Sequence, residues 1–116
     1  MDRRELKRQY PDSVGIHIGF ERSIAQQVTS GADMVVMPSL FEPCGLTQMR
    51  AQRYGALPVV RRVGGLSDTV EDQETGFVFD EFTTYALEVA LRRAFALYPD
   101  RAAWVRHMRV AMSRDF

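Results

Sequence analysis

Four apolar residues in a row, "MVVM" at 34–37, stop abruptly at Pro38. An unbroken apolar run of this length suits a strand covered on both faces, and such strands belong to parallel sheets held between helices. The rest of the chain repeats the theme. "VGIHI" at 14–18 alternates Val14, Ile16 and Ile18 with Gly15 and His17, the period of a strand with one buried face. "LPVVRR", which begins at Leu57, and "FVF" at 77–79 read as further strands. Helical stretches lie between them, and strands alternating with helices specify an α/β class with crossover helices.

The helices have their own signals. "MDRRELKRQYPDS" reads as a short polar helix stopped before Pro11. In "GFERSIAQQVTSGAD", Ile24, Ala25 and Val28 fall at helical spacing and Gly31 supplies a stop. In "LTQMRAQRYG", Leu46, Met49 and Tyr54 share a side, and Gly55 ends the helix. "VGGLSDTVEDQETG" is rich in turn residues. "TTYALEVALRRAFALY" is the strongest pattern, with Leu87, Leu91, Ala94, Phe95 and Tyr98 on one face. Asp100 is placed to cap a last helix that turns Trp104, Val105, Met108 and Met112 inward.

Length and charge narrow the functions open to such a chain. Its 116 residues suit one domain, and no repeat, low-complexity tract or linker interrupts them. The sequence ends at Phe116 without a helix stop signal and reads as cut rather than finished. Fifteen basic and fifteen acidic residues cancel, which leaves no electrostatic footprint for nucleic acid. Arg3, Arg4, Lys7 and Arg8 read as a solvated helix face. One cysteine permits no internal disulfide and no zinc site built on several thiolates, and no metal is expected. No apolar run reaches the length of about 18 residues that a membrane span needs. A soluble protein of a reducing, cytoplasmic compartment is expected.

The chemistry concentrates after the first buried run. In an open parallel sheet, ligands bind beyond the carboxyl ends of the strands. "LFEPCG" is the loop that follows "MVVMPS", and a helix is expected to begin near Gly45 or Leu46. Backbone N–H groups at such a helix start lack intrahelical partners and suit phosphate or sugar oxygens. Glu42 offers two acceptor oxygens for vicinal sugar hydroxyls. Gly64 and Gly65, ahead of Leu66, could present a second set of amides. On chemistry alone such a segment is more readily a cap and a turn. Cys44 reads as a small buried residue, His17 as a strand-face histidine and His107 as solvent-facing. Arg61 and Arg62 read as structural partners of nearby acids.

"ADMVVMPSLFEPCGLTQMRAQRYGALPVVRRVGGLSDTV" strongly resembles the C-terminal domain of bacterial glycogen synthases and plant starch synthases, and the likeness runs from "VGIHIGF" to "SRDF". These are ADP-glucose-dependent, retaining glucosyltransferases of the GT-B fold. The resemblance implies that Glu42 holds the transferred glucose and that Cys44, Gly45 and Leu46 approach glucose and the distal phosphate. It places Thr47 near the diphosphate, Phe20 against the adenine, and Gly64, Gly65 and Leu66 in a loop beside the sugar nucleotide. Phe20 stands where the family usually has tyrosine, and Val63 where it often has threonine. Many related glycosyltransferases carry a second glutamate eight positions after the first. Here that position is Arg50, as suits glycogen and starch synthases, which lack that acid.

The same resemblance defines what is missing. The family's "SRL…QKG" cations, its "KTGGLGDV" loop, its catalytic histidine and much of its glucan-binding surface have no counterpart in these 116 residues. The expected fold is therefore a partial Rossmann-like doubly wound sheet, with residues 1–116 forming one incomplete nucleotide-binding domain. Of the family order 3-2-1-4-5-6 this chain supplies strands three to six, so "VGIHI" lacks its neighbours and self-association through exposed sheet edges is open. Expected ligands are ADP-glucose and ADP, with the α-1,4-glucan engaged through the missing N-terminal domain. The chain alone is expected to be inactive. A non-catalytic nucleotide-binding module and an interaction-only remnant are the alternatives.

Overall fold

The computed structural model describes residues 3–17, 19, 21–38, 46–63 and 69–114. Among them the elements run α1 (Arg3–Gln9), α2 (Arg22–Gly31), β1 (Met34–Met37), α3 (Thr47–Arg53), β2 (Leu57–Arg61), β3 (Phe77–Phe79), α4 (Thr84–Leu97) and α5 (Arg101–Met112). The strands form one parallel sheet in the order β1-β2-β3. Met34 pairs with Leu57 at one end of the first ladder and Met37 with Val60 at the other. Val59 pairs with Phe77 where β3 joins.

One face of the sheet carries the main core. Leu57, Val59, Phe77 and Phe79 meet Ala90 and Ala94 of α4 and Trp104 and Ala111 of α5. Alanines at the contact let α4 approach the sheet closely. Trp104 is fully buried, parallel to the Phe77 ring at 6.2 Å and edge-on to Tyr98 at 5.0 Å. An indole with this much contact is worth about 3–5 kcal/mol against truncation to alanine. A smaller cluster of Val60, Val70 and Val78, flanked by Met37 and Val63, completes the core.

The helix ends follow their side-chain chemistry. Thr83 Oγ1 accepts from Ala86 N at 3.0 Å at the start of α4. Asp100 caps α5 as expected, its Oδ1 accepting from Ala103 N at 3.1 Å. α3 ends at Arg53, and two residues on Gly55 takes a φ of +84°, which is open to glycine at little cost. Gly76 has a different duty. A Cβ there would stand 2.5 Å from the carbonyl oxygen of Pro58 and 2.8 Å from Val70 Cγ1, so only a bare backbone fits.

The two outer edges of the sheet differ. Beside β3, Asp72 Oδ1 accepts from Val78 N at 2.8 Å, and Arg93 donates to Val78 O at 2.8 Å and to both Asp72 oxygens. This network occupies the backbone groups that an added strand would need. Arg114 lies on the same side of the chain's turn region, paired with Glu71 at 3.0 Å and Glu74 at 3.5 Å. A hydrogen bond with Glu74, aided by desolvation, holds the Glu71 carboxyl above its usual range, and Arg114 pulls the other way. Among the described residues β1 pairs on its inner side only, with β2, and Val36 is 44% exposed.

Several expectations give way here. β1 is half-buried rather than covered on both faces, because it ends the ladder instead of lying within it. Residues 14–17 keep the alternating burial read from the sequence, with Val14 and Ile16 the more buried, yet they form no strand. A strand exists only with a hydrogen-bonded neighbour, and the three paired strands among the described residues lie elsewhere. On α3 the buried residues are Gln48, Ala51 and Gln52, while Leu46 and Tyr54 are exposed and Met49 is half-buried. α2 buries no residue fully, and Val28 is exposed. Phe95 and Met112 lie on helix faces turned away from the core, and His107 is half-buried with Nδ1 3.2 Å from Glu74 O.

Candidate functional site

Parallel strands place all their carboxyl ends along one rim, and the residues that follow them gather there. After β1 come Pro38 and then, across residues 39–45, Leu46 and Thr47. After β2 come Arg62 and Val63, and after β3 comes Asp80. Leu46 occupies the N-cap position of α3 in a helical conformation, with no side chain bonded to the helix start. Thr47 is the first residue of the helix, as the sequence suggested within a residue or two. Both are exposed. A small cleft of about 60 Å³ beside Thr47 is lined by Arg50 and Tyr54 of α3 and by Ala25, Gln26 and Thr29 of α2.

Glu42, Cys44 and Gly45, Phe20, and Gly64, Gly65 and Leu66 lie outside the described residues. The described part of the expected site is thus Leu46 and Thr47, carried on a short helix that packs against β1, β2 and α5. Arg50, eight positions after Glu42, is exposed on that helix.

The arginines at the rim are engaged. Arg62 Nε lies 2.7 Å from Asp80 Oδ1, and Arg61 Nε donates to the Asp80 carbonyl at 3.1 Å. The Arg61 guanidinium also sits 5.4 Å from the centre of the Phe82 ring. The Arg62–Asp80 pair agrees with the pairing to a nearby acid read from the sequence, and the Arg61 contacts shown are with the Asp80 backbone and the Phe82 ring. Phe82 helps line an open apolar depression of about 300 Å³ with Pro38, Phe79, Thr83, Thr84 and Leu87, beyond the same strand ends. Among the described residues no group of three or more histidine, cysteine or acidic side chains could hold a metal ion. No helix among the described residues is long and apolar enough to cross a membrane.

Two polar residues escaped the sequence reading. Gln48 and Gln52 are fully buried and reach Thr69, which follows the "GGL" segment in sequence. Their signal was present as an i, i+4 pair on the side of α3 opposite the expected apolar stripe, but polar residues at that spacing ordinarily mark a solvated face.

The sequence profile of the family described as Glycosyl transferases group 1 matches residues 3–110. The chain belongs to this family. Among curated relatives it is 51% identical to the glycogen synthase of Thioalkalivibrio sulfidiphilus over 122 aligned positions, covering 97% of this chain and 25% of that protein. It is 46% identical to the glycogen synthase of Thermodesulfovibrio yellowstonii, covering 97% and 23%. Among solved structures, the catalytic domain of starch synthase IV from Arabidopsis thaliana, bound to ADP and acarbose, superposes with a TM-score of 0.89 at 34% identity. That match covers 97% of this chain and 25% of the other. Sucrose-phosphate synthase from Thermosynechococcus elongatus superposes with a TM-score of 0.72 at 29% identity, covering 94% and 27%. The chain therefore spans about a quarter of the length of the relatives it matches. Its parallel sheet with flanking helices is consistent with a partial Rossmann-like domain of the GT-B kind.

Proposed function

We propose that this chain supplies the sugar-nucleotide-binding part of a glycogen or starch synthase. The reaction moves glucose from ADP-glucose to the 4-hydroxyl at the nonreducing end of an α-1,4-glucan, with retention at the anomeric carbon. The observation that carries the reading is the close superposition on a starch synthase catalytic domain described with ADP and acarbose, at 34% identity over nearly the whole chain. In this reading Glu42 binds the glucose hydroxyls, and Cys44, Gly45, Leu46 and Thr47 lie along glucose and diphosphate. Phe20 stacks on adenine, and Gly64, Gly65 and Leu66 flank the sugar nucleotide.

The chemistry needs the bond between the anomeric carbon and the phosphate oxygen to break, with its electron pair leaving on ADP. Positive groups and amide dipoles stabilise that departing charge. Arg61 and Arg62 are committed to Asp80 and Phe82, which supports a reading in which the required cations come from elsewhere in a longer synthase. The chain by itself is then inactive, because an open half-cleft neither orients an acceptor nor excludes water. A cytoplasmic location and a reaction without bound metal go with this proposal.

An amide NMR titration of the chain with ADP-glucose tests it. Shifts at Leu46 and Thr47 are expected, and Glu42→Ala should remove the part that distinguishes ADP-glucose from ADP. A well-dispersed spectrum indifferent to both nucleotides would sink the proposal. Because the chain spans a quarter of its relatives, a second reading applies to the isolated chain: a nucleotide-binding module without turnover. Binding with no glucose transfer to glycogen, even after the remainder of a synthase is added, would favour it. Failure to bind, with a melting temperature that rises with protein concentration, would instead mark an interaction-only remnant.

A further inference from the structure

Gln48 and Gln52 occupy the buried side of α3 and are both 0% exposed. Gln48 Nε2 donates to Thr69 Oγ1 at 3.2 Å, and Gln52 Nε2 donates to the Thr69 carbonyl oxygen at 3.0 Å. Two side chains one helical turn apart thus converge on a single residue. Thr69 is half-buried and is followed by Val70, which is 3% exposed within the smaller core cluster. Leucine or methionine would fill the same space. Burying an amide lowers stability unless its hydrogen bonds are made, and Gln52 Oε1 is buried with no hydrogen-bond partner among the described residues, so core formation does not account for glutamine there.

The location explains what that geometry controls. α3 opens with Leu46 and Thr47 at the carboxyl rim of β1. Thr69 ends the segment that leaves β2 at the same rim, and in sequence that segment carries Gly64, Gly65 and Leu66. Without a cross-link Thr69 and α3 could shift along each other, because Ala51 is the other fully buried side chain of α3 and small apolar contacts are not directional.

We propose that Gln48 and Gln52 are positioning residues that pin Thr69 to α3 and so hold the start of that helix in register with Thr69 and Val70. The inference rests on the sugar-nucleotide-binding reading above. It assigns the two amides no contact with substrate. They act by keeping the binding-competent register populated before the nucleotide arrives, and apparent affinity scales with that population.

The test uses the full chain with Gln48→Met, Gln52→Met and Thr69→Val, the last removing only the hydroxyl side of the clamp. Phe77→Leu serves as a core variant that lowers stability without touching the clamp. Hydrogen exchange at the Thr69 and Val70 amides is measured without nucleotide, and ADP affinity is measured by NMR titration. If the competent register falls to about a tenth of its population, affinity for ADP weakens by about tenfold. Exchange at Thr69 and Val70 should then accelerate while that of β2 stays unchanged. Phe77→Leu should lower the melting temperature and leave the affinity intact.

Equal ADP affinity in wild type and clamp variants, with unchanged exchange at Thr69, would overturn the positioning role and leave the nucleotide reading standing. If the wild-type chain binds no ADP, the nucleotide reading falls. Exchange then decides the clamp alone: selective acceleration at Thr69 and Val70 supports it, and none refutes it. Should either methionine variant fail to fold, Thr69→Val carries the same comparison.

Discussion

Tyr98 Oη donates a 2.7 Å hydrogen bond to Asp33 Oδ2, joining the turn before β1 to the corner between α4 and α5 across 65 positions of sequence. Asp33 is engaged on its backbone too, its carbonyl accepting from Leu57 N at 3.0 Å. The same phenol ring lies edge-on to Trp104 and under the Arg101 guanidinium, 5.0 Å from the ring centre. A single aspartate thus ties the start of β1 to both β2 and the helical layer.

That bond makes alkaline stability a test of the corner. Hydrogen bonding to Asp33, then desolvation, raises the Tyr98 pKa above its ordinary value, with Arg101 opposing. A raised phenol pKa means the neutral form is favoured by folding. Its contribution is fully present below the unfolded value of about 10 and is lost as pH rises through the higher folded value. Wild type should melt above Tyr98→Phe near neutral pH, and the gap should close above pH about 10. A gap independent of pH across that range would refute the assignment.

Gly76→Ala should be destabilising out of proportion to one methyl group. The new Cβ would meet the Pro58 carbonyl at 2.5 Å, and a central strand cannot yield without disturbing both ladders. Overpacking of this kind costs about 1–3 kcal/mol, read as a lower denaturant midpoint at unchanged slope.

Arg93→Met keeps most of the side-chain stem and deletes the hydrogen bonds to Asp72 and to Val78 O. Hydrogen bonds to charged groups contribute about 1.5–3 kcal/mol, and a loss in that range is expected in chemical denaturation. Hydrogen exchange at the Val78 amide should accelerate as well, since Asp72 loses the partner that orients it.

Arg62→Ala gives the contrasting null. Its pair with Asp80 is half-exposed on one side and largely exposed on the other, and such pairs contribute less than about 1 kcal/mol. A melting temperature close to wild type is expected. Loss of nucleotide binding in this variant would give Arg62 a role in the site that its pairing with Asp80 does not suggest.

The alternation of strands and helices was legible because apolar runs and helical periodicity are local signals. Asp100 was legible as a cap for the same reason. What failed depended on neighbours. "MVVM" looked doubly covered, yet coverage is decided by what pairs beyond β1 rather than by its own four residues. Residues 14–17 carry a strand's alternation and lack a ladder partner. On α4, Leu87, Ala90, Leu91 and Ala94 form the stripe that meets the core, and Phe95 falls just outside it although its spacing from Leu87 is helical. Gln48 and Gln52 were missed because a polar side chain announces burial only through its partner, and Thr69 is a distant one in sequence. At the candidate site, the start of α3 was legible from the turn residues before it, and the helix begins at Thr47, within a residue or two of the expected Gly45 or Leu46.

The difference between the two borders of the sheet has an arithmetic consequence. At β3 the Asp72–Arg93 network already uses the outward N–H and C=O of Val78, whereas among the described residues β1 is paired with β2 alone. A particle with one adhesive border and one blocked border can join a single neighbour through its sheet. Were copies to associate by strand pairing, the described residues leave one border open to it, and the blocked border would act as a chain stopper.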